Sequence, residues 1–290
     1  MGDAHIVGVH GIWQGSSGTA ERLSAIWLKA LTKGIRNASG PHAPVPALAV
    51  ASYSHLFPKQ LLRLGPDDMP GEETPLTADE EEFVEHALSF YLPDSAAEDA
   101  DEAADAGTLG RSVFSRRIER KITAVDRTTA RGTGSRLVWF LREVHGYLRD
   151  ADKAEQVRAA VRETISTIHP QILIAHSLGS VIAYDMIQRG EIPLANDGGV
   201  RAFITCGSPL GWLVVRDGIA AADAPLTVPA GTVWTNVYSR WDVVARGTGL
   251  SHIAAGVKDV RISTGNYLSP HGIREYLIKK PVADAVTGGP

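Results

Sequence analysis

The stretch ILIAHSLGSVIAYDMIQ, residues 172–188, begins as an apolar run of strand character, breaks at Ala175–Gly179, and resumes at once with helical character. The small residues Ala175 and Gly179 stand two positions either side of Ser177. A serine on a sharp strand-to-helix turn needs that spacing, because bulky neighbours would collide where strand and helix nearly touch. The following residue, Leu178, can then offer its backbone N–H at the positive end of the new helix. The stretch reads as a mount for a nucleophilic serine, and it predicts a strand feeding directly into a helix.

Working outward, short apolar and β-branched runs recur at residues 5–10, 46–53, 171–176, 201–207, 232–239 and 257–263. Most are continuously apolar rather than alternating, as parallel strands covered on both faces require. Between them lie helical patterns at 18–33, 152–168, 178–189 and 272–279, the second with Val157, Val161, Ile165 and Ile168 on one face. This alternation predicts an α/β fold, with a mostly parallel, doubly covered sheet in a single domain spanning residues 1–290.

Residues 64–150 break the rhythm and read as an insertion ahead of the strand that carries Ser177. GPDDMPGEETPLTADEEEF and PDSAAEDADEAADAGTLG are acidic, with little to bury, and the basic RSVFSRRIERKITAVDRTTARG follows. Composition alone reads the middle of this segment as a disordered or solvated loop. SRLVWFLREVHGYLR, residues 135–149, reads instead as a helix with Leu137, Leu141, Val144 and Leu148 on one face and Phe140 and Tyr147 beside it. It can pack into the core or cap a substrate crevice, and with the basic run before it, it could rest on a lipid surface.

Of the 290 residues, 44% are hydrophobic and 21% charged, enough apolar content for a sizeable core. A net charge of −4 gives no electrostatic argument for nucleic acid or an anionic membrane. Cys206 is the sole cysteine, so no intrachain disulfide can form. That fits a reducing compartment, and the opening MGDAHIVGVHG has neither the basic nor the apolar region of a signal peptide. The expectation is a cytoplasmic protein. No His/Cys/Asp/Glu spacing of a metal site, no phosphate loop and no G-x-G-x-x-G fingerprint is present, so no cofactor is expected.

A nucleophilic serine needs a base, an acid to orient the base, and donors for an oxyanion. IVGVHGIWQG places Gly11 directly after the first strand, where a glycine lets the next N–H, that of Ile12, turn into a crevice beside the N–H of Leu178. WTNVYSRWDVVA puts Asp242 just past a strand, at the same sheet end as Ser177. GNYLSPHGIREYL puts His271 in a loop before a short helix, and His252, after GTGLS, is the competing base. His176 should point away from the serine. Trp13, Trp212 and Trp241 are candidates to line the crevice, with packing as the alternative role. Cys206 reads as a small core residue.

In the chain order Ser177, Asp242, His271, preceded by the HG turn, the sequence resembles the α/β-hydrolase superfamily over most of its length outside the insertion. The likeness is to lipases and esterases with an HG-x oxyanion strand and a [GA]-H-S-x-G elbow. CGSPLGW (206–212) and WTNVYSRWDVVA also resemble stretches of that group, and HSLGS and GSPL are similar to stretches of intracellular phospholipase-type hydrolases. The resemblance implies Ser177 as nucleophile, His271 as base and Asp242 as its orienting acid, with oxyanion donors at Ile12 and Leu178. It departs from the family pattern at Ala175, where a glycine is commoner, and in an insertion that precedes the nucleophile strand. The expected activity is hydrolysis of a carboxylic ester, lipid-like or otherwise apolar, with transient membrane-surface contact compatible with it. An acyltransferase or amidase would use the same parts, and a catalytically silent fold serving as a binding module is the alternative from another class.

Overall fold

The computed structural model describes residues 5–12, 19–57, 75–92, 114–219, 224–264 and 271–289. Its strands β1 (Ile6–Val9), β2 (Leu48–Ala51), β3 (Ile172–His176), β4 (Ala202–Cys206), β5 (Val233–Ser239) and β6 (Lys258–Ile262) form one sheet in the order β2-β1-β3-β4-β5-β6. Every neighbouring pair is parallel. Each strand lies inside one of the six apolar runs, and β1 and β3 are buried at every position.

Parallel neighbours cannot be joined by tight turns, so the crossovers are long. Those up to β5 carry α1 (Ala20–Ser39), α2 (Ala78–Tyr91), α3 (Arg116–Thr128), α4 (Thr133–Arg149), α5 (Ala151–Ile168), α6 (Leu178–Gln188) and α7 (Leu213–Ile219). The β5–β6 connection is irregular, and α8 (Ile273–Leu277) and α9 (Lys280–Thr287) follow β6. Alternate strand residues feed two cores. Ile6, Val50, Ile172, Ile174, Ile204 and Val237 pack with Trp27, Leu31 and Ile35 of α1, Tyr276 and Leu277 of α8, and Val282 of α9. Val7, Val9, Leu173, Ala175, Phe203 and Trp234 pack on the opposite face with side chains from α2 to α7. Full burial of each large side chain contributes about 1.5–3 kcal/mol, which makes both cores substantial.

Besides α1, which runs to Ser39 where the sequence pattern ended at 33, two regions differ from the sequence reading. The pattern at 272–279 is α8 alone, and a further helix, α9, not read from sequence, starts beyond it, because Lys279 is extended (ψ 143°) and Pro281 occupies the first turn of the second helix. Proline tolerates a first turn but cannot continue a preceding helix through its missing N–H. The second difference concerns the insertion, where part of the segment read as solvated is helical. Thr77 and Glu80 close a capping box at the start of α2, with Glu80 N–H donating to Thr77 Oγ1 and Thr77 N–H to Glu80 Oε2. Phe83, Val84, Ala87 and Leu88 then form a buried stripe. A compositional count sees Glu80, Glu81 and Glu82 and misses that stripe. Residues 58–74 and 93–113, which carry most of the loop expectation, lie outside the described residues.

The helix read at 135–149 is α4, and its place is in the core. Leu137, Phe140, Leu141 and Val144 are buried in the same cluster as Val9 and Ala175, and Trp139 is only 4% exposed. Its apolar side chains are thereby used in packing. No described helix is long and apolar enough to cross a membrane.

Candidate active site

Strand order reverses at β1, which has β2 on one side and β3 on the other. Connections leaving adjacent strands at such a point diverge and open a crevice beyond the strands' carboxyl ends. His10–Ile12, after β1, and Ser177–Leu178, after β3, occupy that position. Val9 pairs with Ala175 in the last register step of the two strands.

Ser177 sits between β3 and α6 with φ 54° and ψ −132°, a conformation costly for any residue with a side chain. Its N–H donates to Cys206 O at 3.1 Å, tying the turn to β4. Gly179 is required for close approach, since a Cβ there would overlap the carbonyl oxygens of Val9 and His10. Leu178 is the first residue of α6, so its N–H has no intrahelical acceptor and stands at the positive helix end.

His271 faces Ser177, and the exposed His252 does not enter the site. His271 Nε2 lies 2.8 Å from Ser177 Oγ, while Nδ1 lies 2.9 Å and 2.8 Å from the two oxygens of Asp242. A carboxylate only accepts, so Nδ1 carries the imidazole proton and Nε2 presents its lone pair to the serine hydroxyl. Asp242 is 1% exposed and receives further N–H groups from Val244 (2.9 Å) and Ala245 (3.3 Å), along with the phenol of Tyr276. Burial pushes its carboxyl up, yet the interaction with His271 and the hydrogen bonds from His271, Tyr276 and Ala245 hold it below the ordinary value. The chain hydroxyl–imidazole–carboxylate can therefore draw the proton off Ser177 Oγ and stabilise the imidazolium that results.

Tyr276 and Gly207 belong to this arrangement and were not singled out from sequence. Gly207 has φ 56°, and a Cβ on it would stand 2.6 Å from Asp242 Oδ2 and 3.1 Å from His271 Nδ1. Gly207→Ala is thus expected to displace the carboxylate and break the His271–Asp242 hydrogen bond, read from the His271 Nδ1–H proton signal by NMR. An unchanged signal in the folded variant would show that the His271–Asp242 pair does not depend on this close packing.

The first-strand turn is held from behind. His10 Nδ1 lies 2.6 Å from Gly11 O, its ring stacks on Tyr53 at 4.1 Å, and the Tyr53 hydroxyl donates to His10 O. Since the Gly11 carbonyl can only accept, His10 Nδ1–H donates to it, and in a trans peptide the Ile12 N–H points the opposite way. Gly11 packs directly on Ser177, where a Cβ would fall 2.5 Å from Ser177 Cβ. Phe140 of α4, fully buried, meets the His271 ring edge-on at 6.5 Å, so the core of the insertion backs His271.

Of the other residues singled out from sequence, Trp13 lies outside the described residues. Trp212 is 1% exposed and donates its indole N–H to Val244 O at 2.7 Å, which places it in the core beneath the Asp242 loop rather than on an open wall. Trp241 is 47% exposed, with the Arg240 guanidinium over its ring. Cys206 is fully buried, and burial pushes its thiol far up, away from thiolate chemistry. Among the described residues no group of three or more His, Cys, Asp or Glu side chains is placed to hold a metal ion.

Two histidines of the site are kept neutral. Burial lowers His10 to about 4 and His176 to about 3, in each case from 6.5. The unfolded chain protonates both below 6.5 while the folded one does not, so unfolding takes up protons and stability falls as pH falls through that window. Each group removes ~1.4 kcal/mol per pH unit, giving about 4 kcal/mol for the pair between pH 6.5 and 5. Buried Glu143, raised to about 7, takes up a proton in the folded state over the same window and opposes this loss. Urea unfolding at pH 7.5 and 5.0 is therefore compared in Glu143→Gln, where the full loss is expected and equal stability at the two values would contradict it.

Comparison of the chain with protein-family models, with curated proteins and with solved structures gives no match.

Proposed function

We propose that this chain is a serine hydrolase of the α/β-hydrolase type that cleaves carboxylic esters. The observation that carries the reading is Ser177 Oγ on a strained elbow, 2.8 Å from His271 Nε2, with Asp242 on the other ring nitrogen. A polar hydroxyl forced to positive φ at a sheet's topological switch point, and paired with an oriented imidazole, has no evident role in packing.

In this mechanism His271 Nε2 takes the Ser177 proton as Oγ attacks the ester carbonyl carbon. The C=O π pair moves onto oxygen, and the N–H groups of Leu178 and Ile12 receive the oxyanion. Collapse of the tetrahedral species expels the alcohol, which leaves with the proton from His271, and Ser177 holds the acyl group. Water, deprotonated by His271, then attacks the acyl carbon and releases the acid and free Ser177. Asp242 stays ionised throughout and keeps Nδ1–H pointed at itself.

An apolar acyl group fits the surroundings, because the partly buried Ile12 packs on the core that holds Leu178. A nitrophenyl ester series from acetyl to octanoyl tests the substrate class. Catalytic efficiency is expected to climb with chain length, by about 0.8 kcal/mol for each methylene buried, until the pocket is filled. A preference for acetyl or butyryl over octanoyl esters would overturn the apolar assignment, and no turnover of any ester would overturn the hydrolase reading itself.

A further inference from the structure

We infer that His176 is a positioning residue for the base: its Nε2–H holds the main-chain carbonyl of His271, and thereby keeps the base in line with both Ser177 and Asp242. The inference rests on the hydrolase reading above and assigns a residue to it that the proton transfers themselves do not require.

His176 Nε2 lies 2.7 Å from His271 O. A carbonyl has no proton to give, so Nε2 is the donor, and the neutral ring leaves Nδ1 as a bare lone pair. That lone pair is buried and meets no hydrogen-bond partner among the described residues. It faces Gly11, where a Cβ would be 3.1 Å away. The side chain is 2% exposed and sits on the sheet face packed by α8. A buried nitrogen without a partner costs about 1–3 kcal/mol, so an apolar side chain of similar volume would serve packing better. The donor at Nε2 is what only the polar residue supplies.

What it holds is the backbone of a residue in a turn two positions ahead of α8. The His271 side chain is tethered at Nδ1 by Asp242, and that tether alone leaves the ring free to pivot about the carboxylate. The hydrogen bond from His176 adds a second anchor, on the main chain. The rings of His176 and His271 lie 4.7 Å apart and inclined by 33°, which further limits the pivot. Because His176 immediately precedes Ser177, two consecutive residues set the nucleophile and the placement of its base. The neutrality of His176 has a use as well, since a second cation at this distance would oppose the imidazolium that His271 becomes.

The test compares His176→Gln with His176→Met in the full chain. The two replacements are nearly isosteric, and only glutamine carries a donor close to the position of Nε2. The methionine variant is expected to lose about 10–100-fold in kcat with KM little changed, as loss of an interaction expressed in the transition state does. Fluorophosphonate labelling should slow in parallel, while the glutamine variant recovers most of both. Should the methionine variant fail to fold, His176→Phe, which keeps a ring and has no donor, takes its place. Equal loss in the glutamine and donorless variants, or no loss in either, would overturn the positioning role while wild-type turnover leaves the hydrolase reading standing. A wild-type chain inert to both esters and fluorophosphonate would overturn that underlying reading instead.

Discussion

Ester turnover by the Ser177→Ala variant is expected to fall by roughly three to six orders of magnitude, the range seen when a hydroxyl nucleophile is removed from such a relay. The loss is confined to chemistry. An alanine methyl fits wherever the serine Cβ fits, including against Gly11, and the hydroxyl's one described hydrogen bond is to His271. The thermal midpoint should therefore stay close to that of the wild type. The strain at φ 54° remains in the alanine variant, so no large gain in stability is expected. Residual turnover above the uncatalysed rate would come from the N–H donors of Leu178 and Ile12, which the substitution leaves in place. Turnover within tenfold of wild type would remove Ser177 from the chemistry.

The second large effect is expected at Asp242. Replacing it with asparagine should lower kcat by about 10⁴-fold, through the wrong imidazole tautomer rather than through lost charge alone. Asp242 receives Val244 and Ala245 N–H groups on Oδ1, the Tyr276 phenol on Oδ2, and the His271 Nδ1–H on both. Asparagine offers one acceptor oxygen and an NH2 that can only donate. If its oxygen turns to the backbone N–H groups, its NH2 faces the His271 ring and favours the tautomer with the proton on Nε2. The lone pair that should accept from Ser177 is then lost. If its oxygen turns the other way, two backbone donors are left opposite an amide at a site 1% exposed, a destabilisation of about 1–3 kcal/mol. Kinetics together with denaturant unfolding distinguish the two orientations. Wild-type kcat in the asparagine variant would show that the His271–Asp242 contact plays no part in turnover.

What could be read from sequence was whatever leaves a local pattern. The sheet was legible because parallel strands buried on both faces cannot alternate, and β1 and β3 are buried at every position. The Ser177 turn was legible because strand and helix nearly touch there, which restricts Ala175 and Gly179 to small side chains within a five-residue window. The helices α2 and α3 were hidden by their charged faces, since composition averages over a stripe such as Phe83, Val84, Ala87 and Leu88. The supporting residues left no local trace at all. Tyr276 acts 34 positions from Asp242 and His176 acts 95 positions from His271, with no spacing rule linking either pair. Gly207 carried a faint signal, a glycine directly after a strand at the sheet end shared with Ser177 and Asp242. Trp212 was misleading because a tryptophan following a strand has the same sequence appearance whether it walls a crevice or, as here, fills the core.

The most direct test of the central claim is to treat the wild-type chain with a fluorophosphonate and locate the adduct by peptide mass spectrometry. A phosphonyl group on Ser177 is the predicted result, formed stoichiometrically. Ester hydrolysis should be lost in proportion to the fraction modified. An adduct on another residue accompanied by loss of turnover, or full turnover in a chain already modified at Ser177, would contradict the account.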